Sequence, residues 1–265
     1  MKKKISITID EKTLGDIDTI IDYIYIRNRS QAIEHLVRNS LGDNKTAVIL
    51  AGGSSKKLKL TKDEYKLTAK VGKTRPIDLG LKKLHQNGFK EIFLVGEREM
   101  LSRVFEVVGD GTSYGVKISY IEENNSRGTA DSLKLLRGKI TKTFLVVYGD
   151  IIFKSINIEK LWEDHIKLNS VATLMLTTSP EPSKKGIVKM EGNSVLEFIQ
   201  KPKRSDIYVG FSSMFVAEPE IFDYSGTSLE MEIFPKLTKN ELLKGHLSSE
   251  KEIHINKIED LRNIS

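Results

Sequence analysis

Apolar and polar positions alternate in Lys4-Ile5-Ser6-Ile7-Thr8-Ile9, which places Ile5, Ile7 and Ile9 on one face of a strand and Lys4, Ser6 and Thr8 on the other. The period then lengthens. Asp10 is a suitable amino-cap for a helix whose Leu14, Ile17, Ile21 and Ile24 form one stripe, and the Ser30 hydroxyl can cap a second helix carrying Ile33, Leu36, Val37 and Leu41. Gly42-Asp43-Asn44 is a turn-forming break, so the pattern predicts a small domain over residues 1–42 and a large one over 45–265. In the large domain, apolar runs alternate with helical patterns. The runs are Ala47–Leu50, Ile92–Val95, Ile118–Ile121, Phe144–Tyr148 and Val171–Leu176, with helices expected over Asp78–Asn87, Ala130–Arg137 and Ile158–Leu168. This rhythm predicts an α/β fold, a mixed but mostly parallel sheet with helices on both faces, whose ligands gather at the carboxyl ends of the strands.

Composition narrows the class. The 265 residues carry 42 Lys+Arg and 36 Asp+Glu, a formal charge of +6, with 39% hydrophobic and 29% charged residues. That describes a globular chain with a sizeable core, not a disordered or fibrous one. The absence of Cys rules out a disulfide framework, a thiolate metal cluster and a cysteine nucleophile, and fits a reducing cytoplasm. No apolar run approaches the ~20 residues that span a bilayer, so no membrane partner is expected.

One strand and two helices in about 40 residues cannot bury their apolar faces alone. The segment 3–41 resembles the ribbon-helix-helix family of DNA-binding proteins, in which two chains pair their strands into an antiparallel ribbon. The resemblance implies a homodimer on double-stranded DNA. Lys4, Ser6 and Thr8 would read bases, and the backbone at Ser30, helped by Arg29, would meet a phosphate. Residues 1–42 hold seven Lys/Arg against six Asp/Glu, so DNA affinity there depends on where the charges sit rather than on their sum.

In the large domain, Leu50-Ala51-Gly52-Gly53-Ser54-Ser55-Lys56-Lys57 follows a buried strand, and paired glycines let backbone N–H groups approach a phosphate or base. The spacing fits neither the Gly-x-Gly-x-x-Gly of dinucleotide binders nor a Walker loop. Val146-Val147-Tyr148-Gly149-Asp150 ends another buried strand on a carboxylate placed to hold a metal against phosphates. With Gly128-Thr129-Ala130, Phe198-Ile199-Gln200-Lys201-Pro202, Ser228–Pro235 and Ile258-Glu259-Asp260-Leu261, these motifs occur in the order found in sugar-phosphate nucleotidyltransferases, which the chain resembles from about residue 45 to its end.

The resemblance implies a Rossmann-like nucleotidyltransferase fold, Mg²⁺ as cofactor, and a nucleoside triphosphate and sugar 1-phosphate, or a nucleotide sugar, as ligands. It assigns Leu50, Ala51, Gly52, Gly53, Glu123, Gly128 and Thr129 to the nucleotide, and Gly186, Gln200 and Lys201 to the sugar phosphate. Asp150 and Glu232 would hold the metal, while Lys57, Lys66, Asp150 and Lys201 would serve catalysis.

The departures from the family pattern are specific. Ser55, Lys56 and Lys57 replace Gly-Thr-Arg, so Lys57 supplies charge without a guanidinium fork. Tyr65 replaces the Pro before Lys66, Gln200 a Glu, Glu232 an Asp, and Phe211-Ser212-Ser213-Met214-Phe215 an Asn-x-Gly-x-Tyr. Two readings follow: an enzyme carrying a DNA-binding arm, dimeric or of higher order, or a transcription regulator whose large domain senses a sugar phosphate or nucleotide sugar. His35, His85, His165, His246 and His254 lack metal-ligand spacing and read as surface or packing residues, and Trp162 as the packing face of its helix.

Overall fold

The computed structural model describes residues 4–41, 44–52, 58–61, 64–70, 74–255 and 260. They divide into two compact units, Met1–Lys45 and Thr46–Ser265.

In the first unit, the Asp10 carboxylate accepts the Thr13 N–H at 2.9 Å and the Thr13 hydroxyl at 2.6 Å, opening helix α1 (Glu11–Thr19). Such a cap is worth about 1 kcal/mol over alanine. The helix stops short of the expected stripe because Asp22 Oδ1 accepts the N–H groups of Ile24, Tyr25 and Ile26 at 2.9, 2.8 and 2.9 Å, turning the chain and leaving Ile21 and Ile24 outside it. Helix α2 (Arg29–Leu41) starts before Ser30, and its cap is Asn28, whose Oδ1 accepts the Gln31 N–H at 3.0 Å. The Arg29 guanidinium grips Asp18 through two 2.7 Å hydrogen bonds, and Ile17 and Ala32 are buried. The expected strand at residues 4–9 carries no ladder, since one copy offers its N–H and C=O groups no partner. Ile5 and Ile7 accordingly stand 75% and 52% exposed.

The second unit is built on β1 (Lys45–Ala51), β2 (Phe89–Gly96), β3 (Lys117–Glu122), β4 (Phe144–Tyr148), β5 (Ile151–Ile152), β6 (Ala172–Thr178), β7 (Gly186–Glu191), β8 (Ser194–Gln200), β9 (Val209–Ala217), β10 (Leu243–Leu247) and β11 (Ile253–His254). Nine strands form one sheet in the order β3-β2-β1-β4-β9-β6-β10-β8-β7, and β5 pairs with β11 in a second, antiparallel ladder. The expectation of a mostly parallel sheet needs correcting. Pairs β2–β3, β1–β4 and β6–β10 are parallel, but β9 runs antiparallel to both β4 and β6, and β7–β8 is a hairpin. The hairpin closes through Gly192-Asn193, with Gly192 at φ 55°, and a two-residue turn joins antiparallel neighbours where a parallel pair needs a long crossover.

The sheet is covered on both faces because β1 alternates sides. Ala47, Ile49 and Ala51 join a core with α3 (Pro76–Gln86), α4 (Arg98–Val108) and α6 (Ile158–Leu168). Val48 and Leu50 join the opposite core with α5 (Thr129–Lys134) and α7 (Phe234–Lys239). Trp162 on α6 is buried edge-on against Phe89, with ring centroids 5.4 Å apart, as its packing role requires. On the other face Phe198, Phe211, Phe215 and Phe234 interlock, with centroids 5.3–6.3 Å apart. Fully burying each such ring contributes roughly 1.5–3 kcal/mol.

Candidate functional site

β1 and β4 are parallel neighbours, with Leu50 opposite Tyr148, so Ala51-Gly52 and Gly149-Asp150 leave the sheet at one place. β2 and β4 flank β1 on either side, which makes this the carboxyl-end crevice where the direction of winding changes.

One cluster forms beside Gly52. Glu123, just past β3, donates its N–H to the Gly96 carbonyl at 2.9 Å, and its buried Oε2 accepts the Ser132 hydroxyl at 2.5 Å. A Cβ on Gly52 would lie 2.3 Å from that Oε2, so only glycine lets the loop pass this close. Gly128 and Thr129 begin α5 nearby, and the Leu229 N–H donates to the Thr129 hydroxyl at 2.9 Å.

A second cluster lines a cavity of about 690 Å³ bordered by Asp150, Gly186, Gln200, Lys201, Glu230 and His254. A Cβ on Gly186 would lie 2.5 Å from the Phe198 ring and 2.8 Å from Gln200 Oε1. Gln200 Oε1 is buried and, among the described residues, has no hydrogen-bond partner. Lys201 and Ser213, both on the wall, adopt φ 47° and 53°, a left-handed conformation that side chains rarely take and that concentrates at functional sites.

Glu230 joins the two clusters. Its carboxylate accepts the hydroxyls of Thr129 at 2.7 Å, Tyr148 at 2.5 Å and Ser228 at 3.0 Å. Burial, and then the adjacent Glu230 charge, hold the Tyr148 hydroxyl well above its usual pKa, so it remains a donor.

The structure therefore gathers Asp150, Gly186, Gln200 and Lys201 at one cavity and Gly52, Glu123, Gly128 and Thr129 around the neighbouring cluster. Leu50 and Ala51 are buried in β1. Lys66 is buried, its backbone N–H donating to the Leu58 carbonyl at 2.8 Å, and is not among the residues bordering the cavity. Gly53 and Lys57 lie outside the described residues, as do Ile258, Glu259 and Leu261 of the expected closing helix and the His35 side chain. Glu232 is placed differently from its expected role. Its Oε2 accepts the Thr227 N–H at 2.6 Å, the Ser228 N–H at 3.1 Å and the Thr227 hydroxyl at 2.9 Å, and these contacts bring its pKa down to about 2. The acidic residues that border the cavity with Asp150 are Glu230 and Glu181; Glu181 is exposed and paired with Lys184, whereas Glu230 is buried.

His254, read from sequence as a surface or packing residue, borders the cavity and contacts Glu252 at 3.0 Å. His165 and His246 are buried against Glu218 and Asp164, and His85 is exposed. Among the described residues, no group of three or more acidic or imidazole side chains is arranged to hold a metal ion, and no helix is long and apolar enough to cross a membrane.

The chain is 31% identical over 210 residues to the mannose-1-phosphate guanylyltransferase catalytic subunit beta of Dictyostelium discoideum, covering 74% of this chain and 57% of that one. It is 30% identical over 198 residues to a Sulfolobus acidocaldarius protein described as a mannose-1-phosphate guanyltransferase, covering 72% and 54%. The chain thus spans about half the length of the curated relatives it matches. A Bacillus anthracis chain described as a glucose-1-phosphate thymidylyltransferase, solved with a sucrose, shares the fold at a TM-score of 0.75 and 22% identity, covering 83% of this chain and 93% of that one. The family model for nucleotidyl transferases matches residues 46–252, a span that holds the crevice, Glu230 and the cavity lining apart from His254, and the chain belongs to that family.

Proposed function

We propose that the large domain is a sugar-1-phosphate nucleotidyltransferase, joining a nucleoside triphosphate to a sugar 1-phosphate with release of pyrophosphate. The observation that carries this reading is the convergence of Asp150, Lys201 and Gly186 on one cavity, linked through Glu230 to the Gly52–Glu123 cluster. A sugar-phosphate oxygen attacks the α-phosphorus, the new P–O bond forms, and the bond to the β-phosphate breaks in line. Lys201 has no ion-pair partner among the described residues, and its ammonium serves the sugar phosphate. Gly52 lets the chain approach the nucleotide, beside Thr129 and Glu123. No proton shuttle is needed, since the attacking phosphate oxygen is already anionic.

The carboxylate oxygens of Asp150 and Glu230 suit Mg²⁺, which is commonly held by one or two carboxylates together with substrate phosphates. When bound, Mg²⁺ neutralises charge on the phosphate oxygens. A pyrophosphate-release assay over nucleotide and sugar-phosphate panels tests the reading, with GTP and mannose 1-phosphate first because the relatives' names point there. Turnover abolished by Asp150→Ala supports it; folded protein without turnover on any pair refutes it.

The small domain is read as a ribbon-helix-helix arm that forms a homodimer and binds double-stranded DNA. The exposed Ile5 and Ile7 support this, since two copies pairing their strands would cover them. Light scattering of the full chain and of an Ile5→Ser/Ile7→Ser variant tests the arm, and an unchanged mass with unchanged DNA affinity removes it. A second reading, a sensor without turnover, is favoured by Ser55, Lys56 and Lys57 in place of Gly-Thr-Arg, which leaves the loop without a guanidinium fork. In a sensor, any effect of a nucleotide sugar on DNA affinity is matched by an equal effect of DNA on ligand affinity.

A further inference from the structure

One cluster on the cavity wall belongs to none of the roles above. The Glu252 side chain is fully buried, at 0% exposure, and its Oε1 accepts from the Lys185 ammonium and from His254 Nε2, the latter at 3.0 Å. Both partners border the cavity, as does the neighbouring, more exposed pair of Lys184 with Glu181 at 2.7 Å. Lys185 is therefore not a free surface lysine, since only 22% of its side chain is exposed. It is also a neighbour of Lys201, whose N–H donates to the Lys185 carbonyl at 3.0 Å.

Burying a carboxylate is costly unless charged donors compensate it, and such a pair is seldom retained for stability alone. Here it fixes an ammonium on the cavity wall that Gln200 and Lys201 also border. We propose that Lys185, anchored by Glu252, is a binding residue for the sugar-phosphate end of the substrate, donating to its phosphate oxygens next to Lys201. The Lys185–Glu252 pair is neutral overall, so it contributes a donor at a fixed position, whereas Lys201 contributes net charge. Glu252 acts through Lys185 and is a positioning residue. The inference rests on the functional reading above.

The test is the double variant K185M/E252L, which leaves net charge unchanged and exchanges the buried pair for packed apolar groups, a replacement that commonly preserves stability. Its thermal midpoint is measured, together with calorimetric titrations of mannose 1-phosphate, glucose 1-phosphate and GTP against the full chain. The expected result is a midpoint close to wild type, at least a tenfold loss of affinity for whichever sugar phosphate the wild type binds, and GTP affinity within twofold. Sugar-phosphate affinity equal to wild type overturns the inference. Parallel loss of both ligands does so too, because it marks a merely structural pair. If the double variant does not fold, K185Q, which still offers Glu252 an amide donor, gives the same readout. Wild-type protein that binds GTP but neither sugar phosphate overturns the functional reading itself, and the inference with it.

Discussion

The Tyr148 hydroxyl donates to Glu230 Oε1 at 2.5 Å while the Thr129 hydroxyl donates to Oε2 at 2.7 Å, so a single carboxylate ties the end of β4 to the start of α5. Tyr148→Phe removes one charge-assisted hydrogen bond and leaves the aromatic packing in place. It is expected to lower stability by about 1.5–3 kcal/mol, read as a shift of the urea midpoint at constant slope. An unmoved midpoint would show that the contact carries no net stability.

Gly52→Ala places a methyl group against Glu123. The carboxylate would have to move, and it is buried and held by Ser132. Relief of such overpacking costs roughly 1–3 kcal/mol. GTP affinity is expected to fall about tenfold or more in calorimetry, with sugar-phosphate affinity less affected. Equal affinity for GTP in the variant would place the nucleotide elsewhere.

Glu252 gives acid sensitivity a defined sign. Burial alone would raise its pKa, but hydrogen bonds from His254 and Lys185 together bring it down from 4.5 to about 2. A depressed carboxylate stabilises the fold above its unfolded pKa, and that contribution is lost as pH falls from about 4.5 toward 2. The difference is on the order of 3 kcal/mol. Stability measured from pH 6 down to pH 2 is therefore expected to fall less steeply in Glu252→Gln than in wild type over that window. Parallel curves would contradict the assignment.

His165 is buried between the Thr173 hydroxyl at 2.9 Å and Glu218 Oε1 at 3.0 Å, and none of the three borders the cavity. His165→Ala combines a cavity with a lost partner for Glu218, and a loss of about 2–4 kcal/mol is expected. Turnover per folded molecule should stay within twofold of wild type. A specific loss of turnover at unchanged stability would give His165 a role in the site.

Much of the fold is legible in the hydrophobic pattern where burial is two-sided. β1, β2, β4 and β6 appear as continuous apolar runs because both their faces are covered. β7 and β8 do not, since each exposes part of its length, and the antiparallel half of the sheet stays hidden with them. At the site, Asp150 and Lys201 are recognisable because each lies in a motif, Asp150 at the end of a buried strand run and Lys201 before Pro202. Glu230 and Glu232 are not separable by pattern. They sit two positions apart in the single π-helical segment Leu229–Ile233, so they leave it in different directions, and Glu230 is the one that borders the cavity. Glu252 and His254 escape sequence reasoning for another reason: their partners, Lys185 and the β5 strand, lie far away along the chain.

The β5–β11 ladder bears on how the protein is made. The Ile255 N–H donates to the Asp150 carbonyl at 2.9 Å, so the carboxylate-bearing turn is braced by residues synthesised more than a hundred positions later. The residues of β1 to β4 have all been synthesised by Tyr148. The wall around Asp150 closes only once residues 252–255 have emerged and returned to it, and so distant a pairing is among the slower steps in folding. Competence at the site is thus expected to appear late during translation.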